Sequence, residues 1–343
     1  MQYFRREVLL KYDALLLVSF GGPEGIDDVI PFLERVLKNR KVPRARMLEV
    51  AEHYYHFKGI SPINEQNRAL IRALEQELTK RNLELPIYWG NRNWHPLLGD
   101  TINQMARDGI KKVLAFVTSG YSSYSNCRQY LENIEEALVE TGNENLVIDK
   151  IRPFFHHPGF LETMVSRVNT ALHQIPEENL NQTHFLYTAH SIPESMAQGC
   201  AYKAQLEDIS RLISQNVGAT KWALTFQSRS GSPSQAWLGP DVIDYIKMIH
   251  ANQSIQNIVI IPVGFVSDHM EVVYDLDVEV RSCCEELDIH MVRVETAGTH
   301  PRFVEMVVEL IQERQSNSIE RPSVGELAPC PDYCSIDCCS SGR

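Results

Sequence analysis

Residues 258–280 read IVIIPVGFVSDHMEVVYDLDVEV, an apolar run followed by a segment with helical periodicity. The run has the length of a buried strand, and the Ser-Asp-His sequence at 267–269 marks the change from strand to helix. Three carboxylates then recur at every fourth position, on Glu271, Asp275 and Glu279. Such residues share one helix face, where like charges cost roughly 0.2–0.5 kcal/mol per pair. The pattern indicates either a solvated helix face or an acidic path that begins at the end of a strand.

The same alternation of strand and helix runs through most of the chain. Strands are predicted at 13–20, 85–91, 112–119, 146–152, 184–190, 222–228, 257–266 and 290–296. Helices are predicted at 25–39, 62–81, 98–109, 127–141, 159–174, 194–216, 240–251, 269–287 and 301–315. Alternating strands and helices favour parallel, doubly wound sheets.

Four predicted strands precede the stretch near residue 155 and four follow it. This division predicts two similar α/β domains, 1–155 and 156–315, with a cleft between them and a cysteine-rich tail at 316–343. Pro262 falls inside one predicted strand and removes a ladder hydrogen bond, so we expect an edge or a bulge there.

Composition narrows the class of protein. The chain has 343 residues, 43% of them hydrophobic and 22% charged, which is typical of a globular protein. The net charge of −11 argues against nucleic-acid binding. No stretch approaches the ~20 apolar residues of a membrane-spanning helix. Residues 11–13 interrupt the apolar N-terminal segment, so we interpret DALLLVSF as the first strand of a cytoplasmic protein rather than as a signal peptide.

Ligands of open parallel sheets bind beyond the carboxyl ends of the strands. His190 ends one predicted strand, and His269 and Glu271 follow another in the same half of the chain. A lone histidine at a strand end is more often structural, but an imidazole that faces a carboxylate can bind a divalent metal, accept protons or do both. The chain contains neither GxGxxG nor a P-loop, so dinucleotide and ATP chemistry have no support.

Other polar and aromatic residues near strand ends allow two interpretations. Phe20 and Trp237 are either flat walls of a pocket or ordinary core residues. The segment HYYHFKGISPI at 53–63 is either a carboxylate-binding helix N-terminus or a helix entry that Ser61 caps with Pro62 at its first position.

Cysteines crowd into the end of the chain. Four of the eight lie within ten residues, at Cys330, Cys334, Cys338 and Cys339. In a cytosolic protein such crowding favours metal or redox chemistry over disulfides.

Several motifs, in order along the chain, resemble those of the ferrochelatases, enzymes that insert ferrous iron into porphyrins. The matching motifs are SFGGPEGIDDVIPFLE, HYYHFKGISPINEQNR, GNRNWHP, SSYSNCRQY, TAHSIP, FQSRSG, WLGPDV and GFVSDHMEVVYDLD. The resemblance extends from about residue 13 to residue 310 and is closest to the bacterial coproporphyrin III ferrochelatases. It implies the chelatase fold, in which two Rossmann-like domains hold a porphyrin in the cleft between them.

The resemblance also implies roles for the strand-end residues. His190 corresponds to the family histidine that accepts pyrrole protons or holds the metal, and Glu271 corresponds to its carboxylate partner. Asp275 and Glu279 match an acidic ladder for Fe²⁺ or protons, although relatives often carry glutamate at position 275. His269 matches a residue that supports the His190–Glu271 site rather than acting in it.

Six further residues match porphyrin-binding positions: Phe20, Tyr54, Ser61, Arg92, Tyr124 and Trp237. Arg92, Tyr54 and Ser61 correspond to the surroundings of the propionates, and Trp237 to a pocket wall. Phe20 stands where relatives carry tyrosine or methionine, and phenylalanine cannot ligate iron. The side from which iron enters stays open.

The substrate is inferred from one short segment. KVPRARMLEVAE, at 41–52, is shorter and more polar than the lip of membrane-associated protoporphyrin ferrochelatases. The resemblance therefore implies coproporphyrin III and ferrous iron as substrates, without nucleic acid or stable membrane insertion. It also implies a monomer with transient contacts to other enzymes of the haem pathway. The alternatives are protoporphyrin IX, another metal and tetrapyrrole, or a non-catalytic porphyrin or haem carrier.

Some ferrochelatases carry a [2Fe–2S] cluster with one ligand from mid-chain and three from the tail. The resemblance assigns these places to Cys127, Cys330, Cys334 and Cys339, with Cys338 in place of Cys334 or Cys339 as an alternative. A zinc site and unliganded thiols are the competing interpretations. A cluster here would be structural or sensory rather than catalytic.

Overall fold

The computed structural model describes residues 10–38, 42–230, 234–253, 255–316, 320–335 and 337–342. Its strands form two four-stranded sheets in which every pairing is parallel. The first sheet has the order β2-β1-β3-β4 and the second has the order β6-β5-β7-β8, so the two sheets repeat one topology. The strands are β1 Ala14–Ser19, β2 Ile87–Asn91, β3 Lys112–Val117, β4 Val147–Lys150, β5 His184–His190, β6 Trp222–Gln227, β7 Asn257–Ile261 and β8 His290–Arg293. The predicted fold class and all eight strands are confirmed.

Helices connect the strands. They are α1 Val29–Val36, α2 Arg44–His56, α3 Ile63–Lys80, α4 Leu98–Arg107, α5 Gln129–Glu140, α6 Pro158–Leu172, α7 Glu194–Ala197, α8 Tyr202–Val217, α9 Val242–Asn252, α10 Met270–Tyr274, α11 Arg281–Glu286 and α12 Pro301–Gln315. There are also two π-helical turns. Tyr124–Arg128 precedes α5, and Asp275–Val280 joins α10 to α11. None of the described helices is both long and apolar enough to cross a membrane.

Some predicted boundaries were wrong for identifiable reasons. The strand predicted at 257–266 ends at Ile261, because Pro262 has no N–H to donate to the sheet. Pro262 instead starts a turn, in which the Phe265 N–H donates to the Pro262 carbonyl. Pro262 therefore ends a central strand and marks neither an edge nor a bulge. The helix predicted at 194–216 is divided into α7 and α8 around Gly199.

One helix, α2, was not predicted. Its apolar side consists of only three buried residues, Met47, Ala51 and Tyr54, separated by charged and aromatic positions. That spacing of four and three residues is helical, but the segment is polar on average, and its periodicity is weak. α2 packs against α1 and against α10.

The buried core crosses the predicted domain boundary. One apolar cluster joins Leu15 and Phe116 of the first sheet to Tyr187 and Val259 of the second. α12, from the end of the second half, packs on α3 of the first half and on α6. The two halves therefore share a core, and the division at 155/156 stays a prediction.

Candidate functional site

His190 and Glu271 lie together at the carboxyl ends of the second sheet. His190 is the last residue of β5, and Glu271 lies in the first turn of α10, beyond the end of β7. β5 and β7 are neighbours at the point where the strand order changes direction, which is where open α/β sheets bind ligands. The His190 Nε2 atom is 3.6 Å from the Glu271 Oε2 atom, with side chains 31% and 49% exposed. The pairing expected from the sequence is thus present and reachable from solvent.

The hydrogen bonds of His190 define the state of its ring. Nδ1 is bonded to the carbonyl oxygen of Ser191, and a carbonyl can only accept, so Nδ1 carries a proton. In the neutral ring Nε2 then has a free lone pair, and it faces the Glu271 carboxylate. This arrangement provides a base whose protonated form has a carboxylate partner beside it.

His269 stands on the other side of Glu271. Its Nδ1 atom is 3.9 Å from the Glu271 Oε2 atom. Burial lowers the pKa of His269, the positive charge of His190 lowers it further, and Glu271 partly offsets both effects. The neutral form of His269 is therefore favoured.

The carboxylates behind Glu271 interact along the helix, as the four-residue spacing indicated. Burial, with a smaller contribution from the like charges of Glu271 and Glu279, raises the pKa of Asp275 to about 7. The Ser228 hydroxyl and the Gln227 amide, which lies 3.3 Å from Asp275 Oδ2, donate hydrogen bonds that oppose this rise. Asp275 therefore exchanges a proton readily near neutral pH.

Glu279 lies further along the same face. Burial raises its pKa, the negative charge of Asp241 raises it further, and Arg46 of α2 lowers it. The acidic face therefore extends from the His190–Glu271 pair toward the N-terminal end of α2.

The unpredicted helix α2 covers part of this acidic face. His53 stacks on Tyr274 with ring centroids 3.8 Å apart and planes 7° apart. Burial and Arg46 lower the pKa of His53, whereas Glu271 raises it. Sequence reasoning missed His53 because α2 was not recognised; the helical spacing of Met47, Ala51 and Tyr54 was the available signal.

Phe20 and Arg92, both expected at the porphyrin, lie together in the first half. The Arg92 guanidinium carbon is 5.7 Å from the Phe20 ring centroid and 4.6 Å from that of Tyr130. Arg92 Nε donates to the Asn133 side chain over 2.6 Å. Phe20 packs against the apolar cluster that contains Met270, the neighbour of Glu271.

Tyr54 and Ser61 are both buried. Tyr54 is 8% exposed and packs on Phe32 at 5.6 Å between ring centroids. Ser61 is 4% exposed, and its N–H donates to the carbonyl of Pro23. The interpretation of Ser61 as a helix cap was wrong, because α3 begins at Ile63 with Pro62 as its N-cap and without a side-chain capping bond.

Trp237 lies beside the chain that follows His190, and Tyr124 belongs to a turn whose Ser125 contacts the same chain. The backbone of Trp237 pairs with that of Pro193, and its indole N–H is buried without a hydrogen-bond partner among the described residues. Tyr124 lies in the π-helical turn before α5, and its hydroxyl donates to Glu132 over 2.8 Å.

Two hydrogen bonds join the halves of the chain beneath the site. The Gln66 side chain of α3 accepts from the Asp268 N–H at 2.8 Å, and the Tyr121 hydroxyl donates to the Val263 carbonyl at 2.7 Å. Arg293 adds a bidentate ion pair with Asp268 and a 2.7 Å ion pair with Asp277. These contacts fix the loop from Pro262 to His269.

The tail cysteines gather near Cys127. Cys127 is buried in the π-helical turn, and all eight cysteines are free. Burial raises the pKa of the Cys330, Cys334 and Cys339 thiols, that of Cys334 to about 11, and Cys127 contributes to each rise. The three tail cysteines named from the sequence therefore share Cys127 as a neighbour.

Cys338 occupies the middle of this group. Its Sγ atom is 3.6 Å from that of Cys339, and it also contacts Cys334. Within the part of the chain that the structure describes, no set of three or more His, Cys, Asp or Glu side chains has the geometry to hold a metal ion.

Comparisons with known proteins agree on one family. A family model described as ferrochelatase matches residues 12–315. A ferrochelatase from Rhodopirellula baltica is 53% identical over 328 residues, covering 96% of this chain and 93% of the relative. A coproporphyrin III ferrochelatase from Streptomyces coelicolor is 44% identical over 350 residues, with 96% and 93% covered. Among solved structures, SirB from Bacillus subtilis with Fe³⁺ has a TM-score of 0.56 at 13% identity, over 91% of this chain and 99% of that one, which shows a shared fold.

Proposed function

The chain belongs to the ferrochelatase family, enzymes that insert iron into a porphyrin in haem biosynthesis, and we propose that its substrate is coproporphyrin III and that His190 and Glu271 remove the pyrrole protons. The observation that carries the catalytic part is the 3.6 Å separation between His190 Nε2 and Glu271 Oε2 at the carboxyl ends of β5 and β7.

Proton removal is the chemical task of the site. A free porphyrin has two N–H protons that point into its central hole, and both must leave as Fe²⁺ binds the four nitrogens. His190 Nε2 accepts the two pyrrole protons in turn, since Nδ1 already donates to the Ser191 carbonyl, and it passes the first to the Glu271 carboxylate before it accepts the second. Glu271 stabilises the imidazolium by its negative charge. Iron enters and leaves this step as Fe²⁺, so no electron acceptor is required.

The acidic ladder gives the protons or the metal a path. Because the pKa of Asp275 is raised to about 7, Asp275 accepts and releases a proton at physiological pH. Carboxylates are also ligands for divalent iron, so the same row can pass Fe²⁺ toward His190. Both uses need Glu271, Asp275 and Glu279 on one helix face.

The choice of coproporphyrin III is supported by relatives and by α2. Curated relatives named coproporphyrin III ferrochelatase are 44% identical to this chain. The lip segment folds into the charged helix α2, whose exposed Arg44 and Arg46 form ion pairs with Glu34 and Glu49. A charged rim suits a porphyrin with four carboxylates better than the more apolar protoporphyrin IX.

Anaerobic metal insertion followed by absorbance tests the proposal. Coproporphyrin III and protoporphyrin IX are offered separately with Fe²⁺, and we expect much faster turnover of coproporphyrin III. A preference for protoporphyrin IX would overturn the substrate and keep the enzyme. Binding of both porphyrins without insertion would support the carrier hypothesis instead.

We also propose that Cys127, Cys330, Cys334 and Cys339 hold a [2Fe–2S] cluster. The proposal is supported by the chemistry of the donors, because thiols are the usual ligands of such a cluster and the three from the tail each lie near enough to Cys127 to interact with it electrostatically. Cys338 stays an alternative, since it contacts both Cys334 and Cys339. Such a cluster, when bound, would cross-link the tail to the body and could exchange an electron, which metal insertion does not need.

A cytoplasmic location, a monomeric state and transient contacts with other haem-pathway enzymes stay predictions.

A further inference from the structure

Residues 191–202, which directly follow His190, lie between the two elements that carry the cysteines. On one side is the π-helical turn Tyr124–Arg128, which contains Cys127. The Ser125 hydroxyl of this turn donates to the Met196 sulfur over 3.7 Å. The Asn126 side chain lies near the Tyr202 hydroxyl and lowers its pKa, against the larger rise that burial causes. The turn therefore contacts residues 191–202 through Ser125 and approaches them again at Asn126.

The end of the tail lies on the other side. A Cβ added to Gly342 would be 2.8 Å from the Met196 nitrogen, and one added to Gly199 would be 3.0 Å from the Ser340 hydroxyl. Glycines at both positions thus permit close approach between the tail and the chain around α7. Cys200, in the same stretch, interacts with Cys338. Residues 191–202 therefore contact both elements that carry the cysteines proposed to bind the cluster.

Tyr202 connects this enclosed segment back to His190. Its side chain is 1% exposed, and its hydroxyl donates to the His190 carbonyl oxygen over 3.1 Å. The next peptide N–H, that of Ser191, donates to the Gln227 carbonyl over 2.8 Å. The peptide group between His190 and Ser191 is thus held at both its oxygen and its nitrogen. Of these two bonds, the one from Tyr202 is made by a side chain, and the other is made by the backbone.

The ring of Tyr202 is itself fixed. It packs edge-to-face on Tyr121, with centroids 6.1 Å apart and planes at 90°. The Tyr121 hydroxyl is bonded to the Val263 carbonyl, at the start of the loop that leads to Glu271. One pair of aromatic residues therefore contacts the backbone on both sides of the His190–Glu271 pair.

We propose that Tyr202 is a positioning residue for metal insertion, which fixes the main chain of His190 and connects it through Asn126 to the turn that carries Cys127. The inference rests on the proposed role of His190 as proton acceptor. It assigns the Tyr202 hydroxyl no contact with porphyrin or iron. Loss of that hydroxyl should therefore slow the chemical step and leave porphyrin binding unchanged.

Tyr202→Phe tests this role, with Tyr187→Phe as the matched control. Tyr187 is also buried, precedes His190 by three residues in β5, and has its hydroxyl bonded to Ser214 at 2.8 Å rather than to the main chain of His190. We expect Tyr202→Phe to lower kcat about 5- to 10-fold with KM for porphyrin within about twofold of the original, as loss of one aligning hydrogen bond predicts. The melting temperatures of the two variants should fall by similar amounts. Equal kcat in both variants, or a raised KM with unchanged kcat, would overturn the inference.

A second variant tests the connection to the cysteine turn. Asn126→Ala should also lower kcat, and the double variant with Tyr202→Phe should be no slower than the slower single variant, because both act through one hydroxyl. If the fold-loss of kcat in the double variant equals the product of the losses in the two single variants, Asn126 and Tyr202 act independently. His190→Ala in the same assay separates the two hypotheses. If His190→Ala retains turnover, the proposed catalytic role fails; if it is inactive while Tyr202→Phe is fully active, only the present inference fails.

Discussion

The chemistry of His190 depends on which of its ring nitrogens is free. Since Nδ1 is committed to the Ser191 carbonyl, Nε2 alone is available to accept a proton, and Glu271 is close enough to stabilise the resulting charge. A glutamine at 271 would keep the size of the side chain and lose that charge. The pair therefore acts as a unit, and removal of either member should affect the same step.

We expect His190→Ala to abolish metal insertion while porphyrin binding is retained. The substitution removes the proton acceptor, whereas the apolar surfaces formed by Phe20 and its neighbours are unchanged. Porphyrin fluorescence quenching measures binding, and absorbance measures insertion. His290→Ala, at an exposed histidine of β8, is the control and should be fully active. Loss of binding together with insertion would assign His190 to the porphyrin pocket rather than to proton transfer.

A second histidine, His157, makes the stability of the fold depend on pH. Burial and, to a smaller extent, the nearby Arg152 and Arg302 together lower the pKa of His157 to about 3. Glu309, 3.8 Å away, favours the charged form but does not restore the ordinary value. Because the folded pKa lies below the unfolded value of about 6.5, stability is complete above pH 6.5 and is lost as pH falls toward 3.

His157→Asn should reduce this loss. His157 Nδ1 accepts the Gly159 N–H as the N-cap of α6, and asparagine is a good N-cap that does not titrate. Between pH 6 and pH 4 we expect the original protein to lose about 1.4 kcal/mol of unfolding free energy per pH unit through this group, a loss absent from the variant. Urea unfolding at several pH values measures the difference. Parallel pH profiles for the two proteins would contradict the assignment.

At the scale of elements, α2 shows how a helix from the first half shapes the acidic face of the second. It brings His53 onto Tyr274 and Arg46 toward Glu279, although 221 residues separate His53 from Tyr274 (274 − 53). The acidic ladder is therefore covered on one side by aromatic packing. The width of this side of the site depends on the position of α2.

His53→Ala should destabilise the protein by about 0.5–1.5 kcal/mol through loss of the stacked pair. His53→Phe keeps a flat ring and should retain most of the stability. His56→Ala is the matched control on the same helix, because His56 meets Tyr274 only edge-on at 6.2 Å. Denaturant unfolding measures all three. Equal losses for His53→Ala and His56→Ala would show that stacking contributes nothing specific.

The elements also show what the sequence could predict. Continuous apolar runs identified the central strands β1, β3, β5 and β7, because strands buried on both faces need no alternation. α2 was missed, since its burial comes from α1 and α10 rather than from a broad apolar stripe of its own. The facing of His190 and Glu271 followed from the strand-end rule. The pKa of Asp275 did not, because it depends on burial and on hydrogen bonds from Gln227 and Ser228, which lie far away along the chain.

At the scale of the whole molecule, ion pairs bind the tail to the body independently of any cluster. Arg152, 1% exposed, forms two bonds with Glu313 of 2.6 and 2.9 Å and also donates to the Pro322 carbonyl. Arg314, 5% exposed, pairs with Asp149 at 3.4 Å and with Asp332 at 3.7 Å. The Val324 and Cys330 N–H groups both donate to His156. These bonds fix residues 322–332, which precede the last three cysteines in the sequence.

It follows that the tail should stay docked when the cluster cannot form. We expect Cys127→Ser to lose cluster absorbance and bound iron, while hydrogen exchange in 320–335 stays as slow as in the original protein. Arg152→Met is the opposite case: it removes the donor to the Pro322 carbonyl of the tail and leaves Glu313 of α12 without its buried partner, a loss that costs about 3–5 kcal/mol, so exchange in the tail should accelerate. Hydrogen exchange read by mass spectrometry distinguishes the two. If Cys127→Ser releases the tail and Arg152→Met does not, then the cluster, rather than the ion pairs, anchors the tail, and the cysteines must assemble before the tail can dock.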